Sequence, residues 1–464
     1  MELMLEAWPF MAMVRPMKPQ RTLAEKWLWL GVSALAIAGI FAIILVVART
    51  PQLKQIPVLQ GLFDVALVVH VDLSVLVWFL CILGMGVAGV MQRHALAWPY
   101  WSKAAFLTTA AATVCMALSP IDHEWQVIKS NYIPVLINGV FFLSLGLLAA
   151  GIVALVVPMV VVHADRSRLR SASLVELGWV HASICTLLAL VGFALSAHAM
   201  PQGLPVEEHF ETLFWAGGHI LQFAFALLMM TAWVGLLEAL GAPFAQRLWV
   251  VIAYSFATLG AAISLAGFAI HPFDSSDFSY HQTRIMIEVG GIGAGMLSLM
   301  VLWRLVRTRV ARAQRAYAST LAMSLILFAA GGILGLMISG QNVGIPAHYH
   351  GQIVGITLAL MGLAYAMLPR FGYESVAGQR LAFWQPVIYG VGQLMHIGGL
   401  AYSGGYGVLR KTAGGFEHLE PSVKVALGVM GLGGMIAIIG GVLFVVVMLR
   451  ARRSASVSHH SALV

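Results

Sequence analysis

The sequence predicts an all-α membrane protein: a bundle of about twelve transmembrane helices with both termini cytoplasmic. Three observations carry that expectation. The chain of 464 residues is 60% hydrophobic and only 10% charged, with a mean hydropathy of +0.88, and a water-soluble domain of this size carries far more charge. Apolar runs long enough to cross a bilayer recur from one end to the other with short polar breaks. Basic residues gather in alternate loops, which orients the bundle.

In chain order the apolar runs are 27–48, 62–91, 101–118, 133–162, 176–198, 211–240, 247–271, 283–305, 318–338, 347–368, 383–402 and 423–449. Each is long enough to cross as a helix, and the longest extend past the hydrocarbon or tilt within it. The connections are short, so residues 27–449 read as one membrane domain between a cytoplasmic N-terminal segment, 1–26, and a cytoplasmic tail, 450–464. Segment 1–26 lacks the compact apolar core and small-residue cleavage site of a signal peptide.

Most of the 27 basic residues fall on the side of both termini, among them Lys26, Arg93, Lys103, Arg166, Arg168, Arg170, Arg247, Arg304, Arg307, Arg370, Arg380 and Arg450. The positive-inside rule makes that side cytoplasmic. Opposite loops are acidic or neutral, as in Val206-Glu207-Glu208-His209-Phe210-Glu211. The net charge of +8 therefore reports topology and anionic lipid rather than nucleic acid. Cys81, Cys115 and Cys185 are isolated within apolar runs and form neither a Cys-x-x-Cys-His motif for covalent haem nor a paired-cysteine copper motif.

Ala347-His348-Tyr349-His350 opens the tenth run. On a helix, positions i and i+2 point about 200° apart, so the two imidazoles face opposite sides of one rod. An intramembrane histidine is costly unless something binds it, and imidazole is a good ligand for haem iron and copper. Two such residues can serve two metal centres. Three more histidines share their depth: His70 about eight residues into the second run, His219 in the sixth, and His271 at the end of the seventh. At ~1.5 Å per residue all five lie in the outer half of the membrane, which helix packing alone does not explain.

This constellation resembles the catalytic subunit of the haem–copper oxidase superfamily, which includes cytochrome oxidases and nitric oxide reductases. The resemblance spans nearly the whole chain; its most specific stretch is Ala347–His350 with Leu368-Pro369-Arg370 closing the same run. It implies two haems. His348 is then the axial ligand of a high-spin, reactive haem, while His350 and His70, in Val69-His70-Val71-Asp72-Leu73, are the two axial ligands of a low-spin haem. Bis-histidine ligation saturates an iron, so that haem carries electrons only.

The resemblance also implies a second metal, copper or non-haem iron, beside the high-spin haem. His219, in Trp215-Ala216-Gly217-Gly218-His219, fits its first ligand position. The seventh run departs from the family, because Ala269-Ile270-His271-Pro272-Phe273 has one histidine where the family has two. Two nitrogens do not make the usual tris-imidazole copper, which leaves three alternatives: a replacement ligand from Asp274, Glu211 or His281, a site with only two protein ligands, or an empty one. The oxidase tyrosine is missing as well: four residues after His219 stands Phe223, with Gln222 beside it as an active-site polar group. Cleaving O–O calls on a phenol, so this position favours reduction of NO to N₂O over reduction of O₂ to water. A non-catalytic dihaem conduit or gas sensor is the further alternative; a twelve-helix transporter leaves the histidines unexplained.

Arg410 and Lys411 resemble the basic pair that holds haem propionates. Glu288, and Tyr254 with Thr258 on the seventh run, are candidate proton carriers. No electron-accepting motif for a soluble donor occurs in the chain, so a partner subunit, or a docking cytochrome c or cupredoxin on the outer side, is implied. The expected setting is the respiratory chain of a bacterial-type cytoplasmic (inner) membrane.

Overall fold

A computed structural model of the chain describes residues 22–49, 57–94, 99–121, 126–338, 342–406 and 419–461. Helices dominate, as expected for an apolar chain whose backbone has no water to bond. In order they are α1 (Leu23–Arg49), α2 (Pro57–Val71), α3 (Trp78–Arg93), α4 (Pro99–Leu118), α5 (Gly139–Val162), the short α6 (Arg166–Ser171), α7 (Leu174–His198), α8 (Val206–Ala239), α9 (Arg247–Ile270), α10 (Ser276–Ile285), α11 (Gly291–Arg307), α12 (Arg315–Leu336), α13 (Gly344–Met367), α14 (Arg380–Gly405) and α15 (Pro421–Ser461). Two π-helical segments, Asp72–Val77 and Met286–Gly290, join α2 to α3 and α10 to α11.

All twelve apolar runs are helical over most of their length. Among the described residues, eleven helices are long and apolar enough to cross a membrane. The twelfth, α14, is 26 residues long but more polar, and its packing explains why. Gln385 is fully buried: it accepts from Tyr365 Oη at 3.1 Å and donates to the Gly440 carbonyl at 3.2 Å, tying α14 to α13 and α15. Replacing Gln385 by leucine orphans the tyrosine hydroxyl and is expected to cost about 1 kcal/mol, read as a lower thermal unfolding midpoint in detergent.

One helix begins later than its apolar run suggests. Residues 133–138 belong to the end of a loop that contains a two-stranded antiparallel hairpin, β1 (Val127–Ile128) with β2 (Val135–Leu136). Asn138 then caps α5 by accepting from Phe141 N at 2.8 Å.

The chain divides into two compact units. The first comprises Met1–Ala38, Leu67–Glu238 and Pro243–Trp303; the second comprises Gly39–Ala66, Ala239–Ala242 and Arg304–Val464. In each, small residues let helices approach closely, the usual device where lipid removes a hydrophobic driving force. In the first unit, Trp27 fills the notch at Gly84 and Trp179 the notch at Gly86. In the second, Gly331 of α12 lies against Gly351 of α13, backbone on backbone.

Burial is uneven among the spans. Gly61–Arg93, Val206–Ala239 and Gly344–Phe371 have 72%, 89% and 89% of their apolar windows buried, against 44% or less for every other span. These three carry His70, His219, and His348 with His350. A left-handed Gly372, at φ 83°, stops the last of them just past Leu368-Pro369-Arg370.

Candidate metal centre

Four of the five candidate histidines share one local device. His70 Nδ1 lies 2.9 Å from the Ala38 carbonyl, His219 Nδ1 2.9 Å from that of Trp215, His348 Nδ1 2.8 Å from that of Gly331, and His350 Nδ1 2.8 Å from that of Pro346. A carbonyl only accepts, so in each ring Nδ1 carries the hydrogen and Nε2 the lone pair. That is the tautomer and orientation of a metal-binding imidazole. Two of the acceptors, Trp215 and Pro346, are the i−4 carbonyls of the ligand's own helix; the other two are brought by neighbours. Gly335 leaves the space on α12 that the His348 ring occupies.

His219 has a second partner that the sequence reading missed. Tyr132 Oη stands 3.0 Å from His219 Nε2, with the rings 4.8 Å apart, and the tyrosine ring rests on the bare backbone of Gly218. Tyr132 comes from the hairpin loop before α5. Glu211 anchors that loop, because its carboxylate accepts both the backbone N–H of Asn131, at 3.0 Å, and the Asn131 side-chain amide. Burial, and next the Glu211 carboxylate, push the Tyr132 phenol above the usual tyrosine range. Phe223, where the family tyrosine was sought, is buried against Gly260 of α9 and Gly290 of the second π segment.

The expected replacement ligands do not gather around His219. Glu211 is committed to Asn131, and Asp274 is exposed in the turn after α9. His271 ends α9 with its ring 5.2 Å from that of His281, and His281 Nε2 sits 3.1 Å from the Ile263 carbonyl. Among the described residues, only one set of three imidazole, thiol or carboxylate ligand atoms lies mutually within 4.8 Å, and it is elsewhere in the first unit. The residues present therefore do not fit a second metal with three such ligands. Gln222 is half-buried on α8.

His396 of α14 lies beside His350, ring centroids 5.1 Å apart, with its Nδ1 3.0 Å from the Met430 carbonyl. Arg410 and Lys411 lie outside the described residues. Asp72, two residues after His70, is fully buried in the first π segment, and neither carboxylate oxygen has a hydrogen-bond partner among the described residues. The sequence offered a signal here, a carboxylate inside an apolar run, which the search for imidazoles passed over.

Of the proton-carrier candidates, Glu288 pairs with Arg284 one turn earlier, at 2.6 Å, on the exposed face of its helix. Tyr254 is fully buried. Thr258 Oγ1 lies 2.7 Å from His181 Nδ1 and 3.3 Å from the Tyr254 carbonyl, and the His181 and Tyr254 rings are 5.8 Å apart. His181, from α7, thus extends the polar series on α9; one sequence gave no means of pairing the two helices.

Comparison with known proteins agrees with this architecture. The family profile described as cytochrome c and quinol oxidase polypeptide I matches residues 22–443. An uncharacterized protein of Rickettsia prowazekii is 31% identical, covering 91% of this chain and 94% of its own length. An uncharacterized protein of Aquifex aeolicus is 28% identical over 76% of this chain and 86% of its own. A cryo-EM structure of a haem–copper terminal oxidase dimer has the same fold, with a TM-score of 0.68 at 15% identity over 94% of this chain and 84% of that one. Apolar helices long enough to cross a membrane and a profile match over nearly the whole length agree: the chain belongs to the cytochrome c and quinol oxidase polypeptide I family.

Proposed function

We propose that the chain is the catalytic subunit of a respiratory terminal oxidase of the cytoplasmic membrane. In this reading His70 and His350 are the axial ligands of a low-spin haem and His348 is the axial ligand of a high-spin haem. The observation that carries it is the shared Nδ1–carbonyl hydrogen bond, which aims Nε2 of each imidazole as a ligand. When bound, the haems supply electron transfer at the saturated iron and an open coordination position at the other.

Dioxygen is the favoured substrate because of Tyr132. Reduction of NO was expected on the ground that Phe223 leaves the site without a phenol; Tyr132, hydrogen-bonded to His219, provides one from a different segment. Its hydroxyl is a proton donor at Oη beside His219, and the Asn131–Glu211 anchor holds it there. His181 Nδ1 and Thr258 Oγ1 hold a proton between them on the inner side of the same unit, with Tyr254 next in line. NO reduction remains the second reading, on the ground of Phe223 alone, and the lack of a three-ligand second-metal set around His219 among the described residues favours instead a non-catalytic dihaem conduit or gas sensor. An electron-donating subunit, a cytochrome c or a cupredoxin on the outer side completes the reaction.

Two experiments test this. His348→Ala should abolish CO binding to the reduced protein while leaving the low-spin haem spectrum; unchanged CO binding refutes the assignment of His348. Side-by-side electrode measurements on the intact complex should show O₂ consumed faster than NO. Rapid N₂O formation with negligible O₂ uptake returns the protein to the NO reductases.

A further inference from the structure

The one convergent set of ligand atoms in the described chain uses none of the candidate haem or second-metal residues. His94, His163 and Glu176 bring together three helix ends of the first unit, with all their ligand atoms within 4.8 Å of one another. His94 follows the last residue of α3, His163 follows the last residue of α5, and Glu176 is in the first turn of α7. His163 and Glu176 side chains are 1% and 2% exposed, and His94 is 29% exposed.

The hydrogen-bond pattern requires a positive occupant. His163 Nδ1 lies 2.9 Å from the Met159 carbonyl and so carries its hydrogen there, leaving the lone pair of the neutral ring on Nε2. That nitrogen is 3.0 Å from Glu176 Oε1, an acceptor when ionised. His94 Nε2 meets the same oxygen at 2.7 Å. Two imidazole nitrogens and a carboxylate oxygen thus crowd one point. Around tetrahedral zinc, ligand atoms about 2.0–2.1 Å from the metal are about 3.3 Å apart, a spacing that the two nitrogen–oxygen separations of 2.7 and 3.0 Å reach by opening slightly. The Met159 carbonyl on His163 is again the orienting hydrogen bond of a metal-binding imidazole.

The surroundings select the kind of cation. Arg93 holds Glu176 Oε2 and balances the carboxylate charge, so a hard, oxygen-seeking ion such as Mg²⁺ or Ca²⁺ gains little here. A borderline ion that bonds well to imidazole does not depend on net negative charge in the same way. Both histidines follow helix C-terminal ends, where the peptide dipoles favour a cation. Ser173-Leu174-Val175-Glu176 has the sequence of a capping box: Ser173 Oγ accepts from the Glu176 backbone N–H at 3.1 Å. The Glu176 side chain, however, is spent on Arg93 and the two histidines.

We propose that His94 Nε2, His163 Nε2 and Glu176 Oε1 form a divalent transition-metal site of the zinc class, separate from the haem ligands, that clasps the ends of α3, α5 and α7. The half-exposed His94 leaves the fourth position open to water from that side.

The test is equilibrium dialysis of the purified full-length protein against Zn²⁺, with zinc and iron measured by plasma mass spectrometry. Wild type should hold one zinc per chain and show a higher thermal unfolding midpoint with zinc than without. His219→Ala should bind the same zinc, which separates this site from the gas-reducing centre. His94→Ala and Glu176→Gln should each bind at least about tenfold more weakly, and His94→Cys should restore binding, since a thiolate also ligates zinc. His94 is the least buried of the three, so its variants decide the matter if Glu176→Gln fails to fold. No zinc uptake by wild type, or wild-type affinity in His94→Ala, overturns the proposal and leaves a cluster held by protons and Arg93. Haem spectra and O₂ consumption are read independently and bear only on the oxidase reading.

Discussion

His350→Ala is expected to erase the low-spin haem spectrum of the full-length protein, and His70→Ala to do the same. A bis-imidazole iron loses its six-coordinate character once either nitrogen is gone. His350 Nδ1 is already committed to the Pro346 carbonyl, so the ring has one nitrogen to give and no second route to the iron. Added imidazole should partly restore the spectrum in His350→Ala, because the shortened side chain leaves room for a free ring. His396 is the informative control. Its ring is the imidazole beside His350, yet His396→Ala should keep a full low-spin spectrum. The reverse pattern, loss in His396→Ala and retention in His350→Ala, would move the ligand from α13 to α14.

The second large effect concerns Tyr132. Tyr132→Phe deletes one oxygen from a residue otherwise fixed by Gly218 and the Asn131–Glu211 anchor. Both haem spectra and CO binding should survive, while O₂ reduction falls by at least about a hundredfold, the lower end of what a positioned proton donor contributes. Glu211→Gln should act in the same direction but less, since the amide still accepts from the Asn131 backbone and the phenol stays present. An unchanged O₂ rate in Tyr132→Phe would show that the hydroxyl is a structural hydrogen-bond partner of His219, and would restore the case for NO drawn from Phe223.

The contrast between these two residues shows what the sequence made legible. His350 announces itself, because an imidazole pair at i and i+2 inside an apolar run is expensive and periodic. The same logic located all twelve helices: hydropathy is a local property, summed over a window of consecutive residues, and the folded chain agrees with it. Even the deviation of α14 was local, a run diluted by Gln385, Gln393 and His396. Tyr132 has no such signature. It sits in a polar loop, and its role depends on a fold-back of Asn131 onto Glu211, which lies 80 positions away. Nothing local distinguishes it from other interfacial tyrosines.

His94, His163 and Glu176 were invisible for the same reason. Each ends or begins a different helix, and each in isolation reads as a polar residue at a membrane boundary. His181 and Thr258 likewise need the pairing of α7 with α9 before they become a pair. The search for a third ligand near His219 failed differently: Asp274, Glu211 and His281 were chosen by nearness to expected helix ends, but a carboxylate goes to the nearest donor, and for Glu211 that donor is Asn131. Loops decide such matters, and loop geometry is not written in hydropathy.

The π segment at Asp72–Val77 divides what hydropathy treats as one rod. Each π residue advances less around the axis than an α residue, and over the segment the lag amounts to roughly 100°, about one residue's turn. Residues before Asp72 and after Val77 are therefore out of phase. The face that presents His70 does not continue as the same stripe down α3, and a helical-wheel projection of Gly61–Arg93 mixes two distinct faces. The same phase break falls at Met286–Gly290. A relative whose helix is uninterrupted at either place should align with this chain only by dropping one position there, and the two flanks of each crossing can then accumulate substitutions against different neighbours without disturbing each other's register.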